Sequence, residues 1–177
     1  LGIPYSVDGE VRVAQTPFGQ ALTSLLRFAW LGGTRRELFT FLRSPFSGVE
    51  RRAVDFVEGR LRGRAVQDPE RVVEEGEKLH GRPFPCLAEL RGAEDPVEAV
   101  RVLITRMLRS AYGLESPPVG QASRLDLRTY DRISRVLTEL ERWRRLAGEL
   151  SRDDVVAVLE RHTLRPFRGD EPGRVAV

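Results

Sequence analysis

The chain has 177 residues and a mass of 20.0 kDa, with 41% hydrophobic and 31% charged residues. A chain of that size buries roughly 70% of its unfolded surface, which argues against disorder and against a miniature disulfide scaffold. The net charge of +3 sets 28 arginines and one lysine, Lys78, against 26 carboxylates, while a single cysteine, Cys86, leaves no intramolecular disulfide and no multi-cysteine zinc site.

Residues 1 to 15 alternate like extended chain, and Asp8-Gly9 between Tyr5-Ser6-Val7 and Val11-Arg12-Val13 predicts a tight hairpin. Thr16 as cap and Pro17 at the first helical position then open a helix carrying Ala21, Leu22, Leu25, Leu26, Ala29 and Trp30 at helical spacing. Gly32-Gly33 should end it. Thr34 and Glu37 form a capping-box pattern for a short helix with Leu38, Phe39, Phe41 and Leu42, which Ser44-Pro45-Phe46-Ser47-Gly48 breaks. A third helix is expected from about Val49 to Leu61, with Val49, Ala53, Val57 and Leu61 on one face and Gly59 and Gly63 at its fraying end.

Asp68-Pro69 and Asp95-Pro96 repeat one device, a capping aspartate before a first-position proline. The first should open a short, acidic, mostly solvent-facing helix. The second opens one carrying Val97, Val100, Ile104, Met107, Leu108 and Ala111, and Pro83 and Pro85 enforce a loop between the two. After a polar linker with Pro117-Pro118, the longest helical pattern runs from about Leu125 to Leu146, with Tyr130, Ile133, Leu137, Leu140 and Trp143 along one seam. Ser151 to Asp154 caps a last helix with Val155, Val158 and Leu159. Gly169 to Gly173 then turns the chain into a β-like run, Arg174 to Val177. The expected fold class is mainly α: a multi-helix domain with short extended segments at both termini.

Chemistry is sparse in this pattern. A P-loop needs a lysine after glycine and before Ser or Thr, and Lys78 sits in Glu77-Lys78-Leu79. A nuclease centre of the PD-(D/E)XK type needs an acidic ligand two residues before its lysine, and that position is Gly76. His80 and His162 are 82 positions apart with no second soft donor at helix spacing, so they read as polar loop residues, and no metal site is expected. Glu74, Glu75 and Glu77 beside Arg71 and Lys78 read as a solvated helix face, and Trp30 and Trp143 as packing residues.

Charge distribution is more informative. Residues 1 to 67 carry ten arginines and six carboxylates, whereas residues 68 to 122 are net acidic. Arg51, Arg52, Arg60, Arg62 and Arg64, with Arg43 just before them, are candidates to line a groove that holds nucleic-acid backbone through planar guanidinium contacts. The competing reading is a solubilising helix surface with cations favoured near a helix end.

Leu1-Gly2-Ile3-Pro4-Tyr5, Thr16-Pro17-Phe18-Gly19, Phe41 to Gly48 and Val54 to Gly63, taken with the closing Gly169 to Val177, resemble bacterial AddB-like and RecB-family helicase-nuclease proteins. The resemblance is specific mainly in residues 1–64 and 169–177. It implies a helical accessory subdomain, often called 2B, inserted in the second motor core of a UvrD-type helicase that processes broken double-stranded DNA ends. On this reading residues 1–15 lead in from the motor, 16–168 form the helical accessory domain and 169–177 return to the motor.

The implied partners are DNA, bound without sequence preference, and a helicase-nuclease partner subunit. The implied compartment is the cytoplasm, and ATP and magnesium belong to the parent motor, with no cofactor in this piece. Because both ends should join neighbouring parts of one sheet, segments 1–13 and 174–177 are expected to lie together. The alternatives are a helical protein-docking module without DNA contact and, last, a self-contained enzyme.

Overall fold

The computed structural model describes residues 5–6, 9–113, 121–165 and 175–176. Among these residues the chain is mainly α. It contains α1 (Pro17–Trp30), α2 (Arg35–Leu42), α3 (Arg51–Gly63), α4 (Pro69–His80), α5 (Leu87–Gly92), α6 (Pro96–Tyr112), α7 (Gln121–Ala147) and α8 (Arg152–Arg161). Four two-residue strands accompany them: β1 (Tyr5–Ser6), β2 (Val11–Arg12), β3 (Thr163–Leu164) and β4 (Val175–Ala176).

The helix starts follow local chemistry. Thr16 Oγ1 accepts from the Gly19 N–H at 3.1 Å, Asp68 from that of Arg71 at 2.9 Å, and Asp95 from those of Val97 and Glu98 at 3.0 and 3.2 Å. The Thr34–Glu37 and Ser151–Asp154 capping boxes both form. Each cap satisfies amide groups that a helix N-terminus otherwise leaves without a partner.

Helix α1 is the centre of the fold and packs against α2, α5, α7 and α8. Its Phe18, Leu22, Leu25 and Leu26 are fully buried, and Phe18 meets Phe46 edge-on at 5.0 Å and Tyr130 at 6.4 Å. Helix α6 closes the core from the other side with Val97, Val100, Ile104 and Met107, while α3 and α4 pair at the rim. No helix among the described residues is long and apolar enough to cross a membrane.

The two ends of the chain meet: β1 pairs with β4 in parallel, Tyr5 opposite Val175 and Ser6 opposite Ala176. That is the expected juxtaposition, but the expected hairpin is replaced. β2 pairs antiparallel with β3, Val11 opposite Leu164. The chain after Gly9 has to carry Val13 into the core, where it is 1% exposed, and the Val13 N–H reaches the His162 carbonyl at 2.8 Å. A partner at the far end of α8 therefore prevails over the local turn signal.

Several helical details also differ from expectation. α3 runs through Gly59 to Gly63, and Val54 joins Val57 and Leu61 on its buried face. α4 buries Val72 and also Gly76, against which Phe84 packs so closely that a Cβ at position 76 would lie 2.8 Å from the ring. The Pro83–Pro85 loop leads directly into α5, whose N-cap, Cys86, sits at φ +64° and makes no side-chain capping hydrogen bond. α7 starts at Gln121, four residues early, and its apolar seam ends at Leu140, leaving Trp143 51% exposed. The turn expected at 169–173 and the linker at Pro117-Pro118 lie outside the described residues.

Candidate nucleic-acid interface

The six arginines selected from the sequence lie on or next to α3, but they fall into two groups. Arg43 donates from Nε to Asp55 Oδ1 at 3.3 Å and ion-pairs with Glu58. Glu58, itself only 7% exposed, also accepts from Arg62 Nη2 at 3.3 Å. Arg51 stands 3.9 Å from Asp55 Oδ2, and Arg64 reaches across to Glu75 of α4 at 3.4 Å, where Arg71 binds the other carboxylate oxygen at 3.0 Å. These four cations are partly compensated within the fold.

Arg52 and Arg60 form the second group. Both are exposed, and neither has a carboxylate partner among the described residues. Arg60 lies over the ring of Phe56, its Cζ 5.4 Å from the centroid.

The structure adds a surface that the sequence reading missed. Along α2, two adjoining polar clefts of about 470 and 570 Å³ share Thr34, Arg36 and Thr40. Together they bring six arginines, at positions 12, 27, 35, 36, 43 and 62, against the carboxylates of Glu37, Glu58 and Glu160. Arg27 is held by Glu160 at 2.5 and 2.9 Å, and that hydrogen bond raises its already high pKa. Arg35 donates to the Val66 carbonyl at 2.8 Å. Arg36 is exposed and without a side-chain partner among the described residues. The available signal was the periodicity of α2: Arg36, Thr40 and Arg43 fall at i, i+4 and i+7, on one face.

The remaining candidates are accounted for structurally. His162 Nδ1 lies 3.0 Å from Arg132 Nη2. Burial first, and then the Arg132 charge, hold its pKa below the usual value, and Nδ1 accepts from the Arg132 guanidinium, which can only donate. His80 sets Nδ1 3.0 Å from the Arg82 carbonyl and stacks on Phe84. Of the three glutamates read as a solvated face, Glu74 pairs with Lys78 at 2.7 Å and Glu75 with Arg64 and Arg71. Glu77 instead accepts from the Phe84 N–H at 2.8 Å and ties α4 to the following loop. Trp30 is a packing residue, its Nε1 donating to the Leu90 carbonyl at 2.8 Å. Trp143 is not, because the end of α7 extends beyond the core.

A pocket of about 300 Å³ between α5 and α6 is lined by Leu90, Ala99, Val102 and Leu103 together with Cys86 and Arg106, among others. Burial pushes the Cys86 thiol up, against the opposing pull of Arg106, so it is a protonated thiol and not an activated nucleophile. Arg106 is taken up by Glu89. The sole lysine is exposed and bound to Glu74. Among the described residues, no three metal-ligating side chains are grouped. No family model, no curated protein and no solved structure matches the chain.

Proposed function

We propose that the chain is a non-catalytic helical accessory domain that holds nucleic-acid backbone without reading sequence. The observation that carries this is the trough along α2, where six arginines outnumber three glutamates among neutral polar side chains such as Gln15, Gln20, Ser24 and Gln67. Guanidinium groups bind phosphate oxygens through planar forks, and contacts of that kind position a strand without specifying its bases. The pairing of β1 with β4 supports a module entered and left at one place. With the resemblance to AddB-like and RecB-family proteins, it favours an accessory domain of an ATP-dependent helicase-nuclease acting on broken DNA ends in the cytoplasm, with ATP, magnesium and catalysis supplied by the parent motor.

The test is fluorescence anisotropy of a labelled forked duplex across a salt series. Binding should weaken steeply with salt, and Arg12→Ala with Arg36→Ala should flatten the log–log slope by about 0.9 for each phosphate no longer neutralised. Absence of binding at low salt removes direct DNA contact. The docking-module reading then moves forward, and it has its own observation: Trp143 and Leu146 stand 51% and 89% exposed at the end of α7, the kind of apolar surface a partner subunit covers.

A further inference from the structure

The outward face of α3 separates from the trough in its chemistry. Arg52, Phe56 and Arg60 are spaced i, i+4 and i+8, so they form one stripe along the helix. The rise of 1.5 Å per residue places the two arginines about 6 Å on either side of the phenylalanine along the axis. Phe56 is 51% exposed, although every phenylalanine of α1 and α2 is buried. Beside the stripe lie Gly59 and Gly63, and a Cβ built at either would meet no atom within 4 Å. The ring therefore stands on a smooth helix face, with the Arg60 guanidinium laid over it.

Retaining an exposed aromatic ring on an otherwise polar face gives no return in core burial. The face is also a poor protein-docking surface: beyond Phe56 it offers two glycines and charged side chains, whereas a stable interface buries about 800 Å² per partner around an apolar centre. Its composition fits a different occupant. A strand with unpaired bases presents a planar apolar face for the ring and an anionic backbone for the cations on either side. Arg52 and Arg60 are also the two arginines of the α3 group that have no carboxylate partner among the described residues. The stacked guanidinium of Arg60 extends the platform, since an arginine plane stacks on bases as an aromatic ring does.

We infer that Arg52, Phe56 and Arg60 form a stacking platform for single-stranded nucleic acid, distinct from the arginine trough along α2. This rests on the reading of the domain as a nucleic-acid binder and adds the strand form that this face selects. Duplex DNA keeps its bases stacked inside and offers the ring nothing along its length, so discrimination comes from Phe56 and general affinity from the arginines.

The experiment uses the 177-residue chain and a fluorescein-labelled oligothymidylate, with a blunt duplex of matched length as comparison. Phe56→Leu keeps the volume roughly constant on a solvent-facing position, and circular dichroism verifies that its helix content is unchanged. It should weaken single-strand binding by about fivefold or more and leave the duplex within about twofold, and Phe56→Tyr should restore single-strand affinity. Arg52→Ala with Arg60→Ala should flatten the single-strand salt slope by about 1.4, corresponding to two phosphates. If Phe56→Leu leaves single-strand affinity unchanged while Arg36→Ala lowers it, the trough binds and the platform is refuted. Equal losses on duplex and single strand refute the strand selectivity. If the unaltered chain binds neither nucleic acid at low salt, the platform and the broader nucleic-acid reading fall together.

Discussion

Helices α1 and α3 are almost the same length, 14 and 13 residues, yet they are built for opposite environments. α1 carries one charged residue, Arg27, and packs against four other helices. α3 carries six charged residues, and its neighbours are α2 and α4. A helix enclosed on most sides can display little chemistry to solvent, because its side chains are spent on packing. One held along a single edge exposes a wide arc, and in α3 that arc contains both the paired arginines and the stripe of Arg52, Phe56 and Arg60. Stability and surface chemistry are thus assigned to different helices of one small domain.

The largest effect that tests this division is a pair of phenylalanine truncations. Phe18→Ala removes a fully buried ring of α1 that contacts Phe46 and Tyr130, and should cost about 3–5 kcal/mol in chemical denaturation. Phe56→Ala on α3 should stay within about 0.5 kcal/mol. Equal losses would show that α3 is part of the core.

Next comes the cap of α1. Thr16 is 2% exposed, its hydroxyl donates to the Val13 carbonyl at 2.8 Å, and it accepts from Gly19. Thr16→Ala should cost about 1 kcal/mol, read as a Tm lower by about 2–4 °C. A variant that melts with the parent chain would show that the cap contributes nothing.

Glu58→Gln sharpens the contrast from the α3 side. It removes the carboxylate shared by Arg43 and Arg62, which leaves Arg62 without a carboxylate partner among the described residues and Arg43 with Asp55 alone. Duplex affinity at low salt should rise, and the log–log salt slope should steepen by up to about 0.9 per newly available arginine. An unchanged slope would mean these arginines do not meet phosphate.

The smallest effect concerns Asp126, a 4%-exposed carboxylate of α7 that accepts from the Tyr112 hydroxyl and the Phe18 backbone amide. Burial raises its pKa, outweighing the two hydrogen bonds. A carboxyl with a raised folded pKa binds its proton more tightly in the folded chain. Its contribution therefore favours folding at low pH and is lost as pH rises through the folded pKa. Asp126→Asn should remove that dependence, so the stability difference between variant and parent grows in the variant's favour with rising pH in denaturant titrations. A pH-independent difference would show that the carboxyl does not titrate differently on folding.

Helix starts were readable from the chain because their determinants are a few residues apart. Thr16-Pro17, Thr34 with Glu37, Asp68-Pro69, Asp95-Pro96 and Ser151 with Asp154 each cap the expected helix. The readings that failed depended on distant neighbours. Asp8-Gly9 carries a hairpin signal, but β2 finds β3 more than 150 positions away. Trp143 continues the spacing of Leu137 and Leu140, but the core ends before it. α5 has neither cap nor clear periodicity, and its start depends on the unusual backbone of Cys86.

The candidate site follows the same rule. That α2 and α3 are rich in arginine, and that the domain is helical with extended ends, was determined by sequence alone, since composition, capping and 3.6-residue periodicity act locally. Which arginines stay available was decided only in three dimensions. Arg64 is compensated by a glutamate eleven positions away on α4, and Arg27 by one 133 positions away on α8. Arg36 of α2 joins Arg12 of β2 in one trough although they are 24 positions apart in the chain. Charge pairing acts over a few ångströms of space whatever the separation along the chain, so the packing of the helices, and not their order, divides this cationic surface into its neutralised and its available parts.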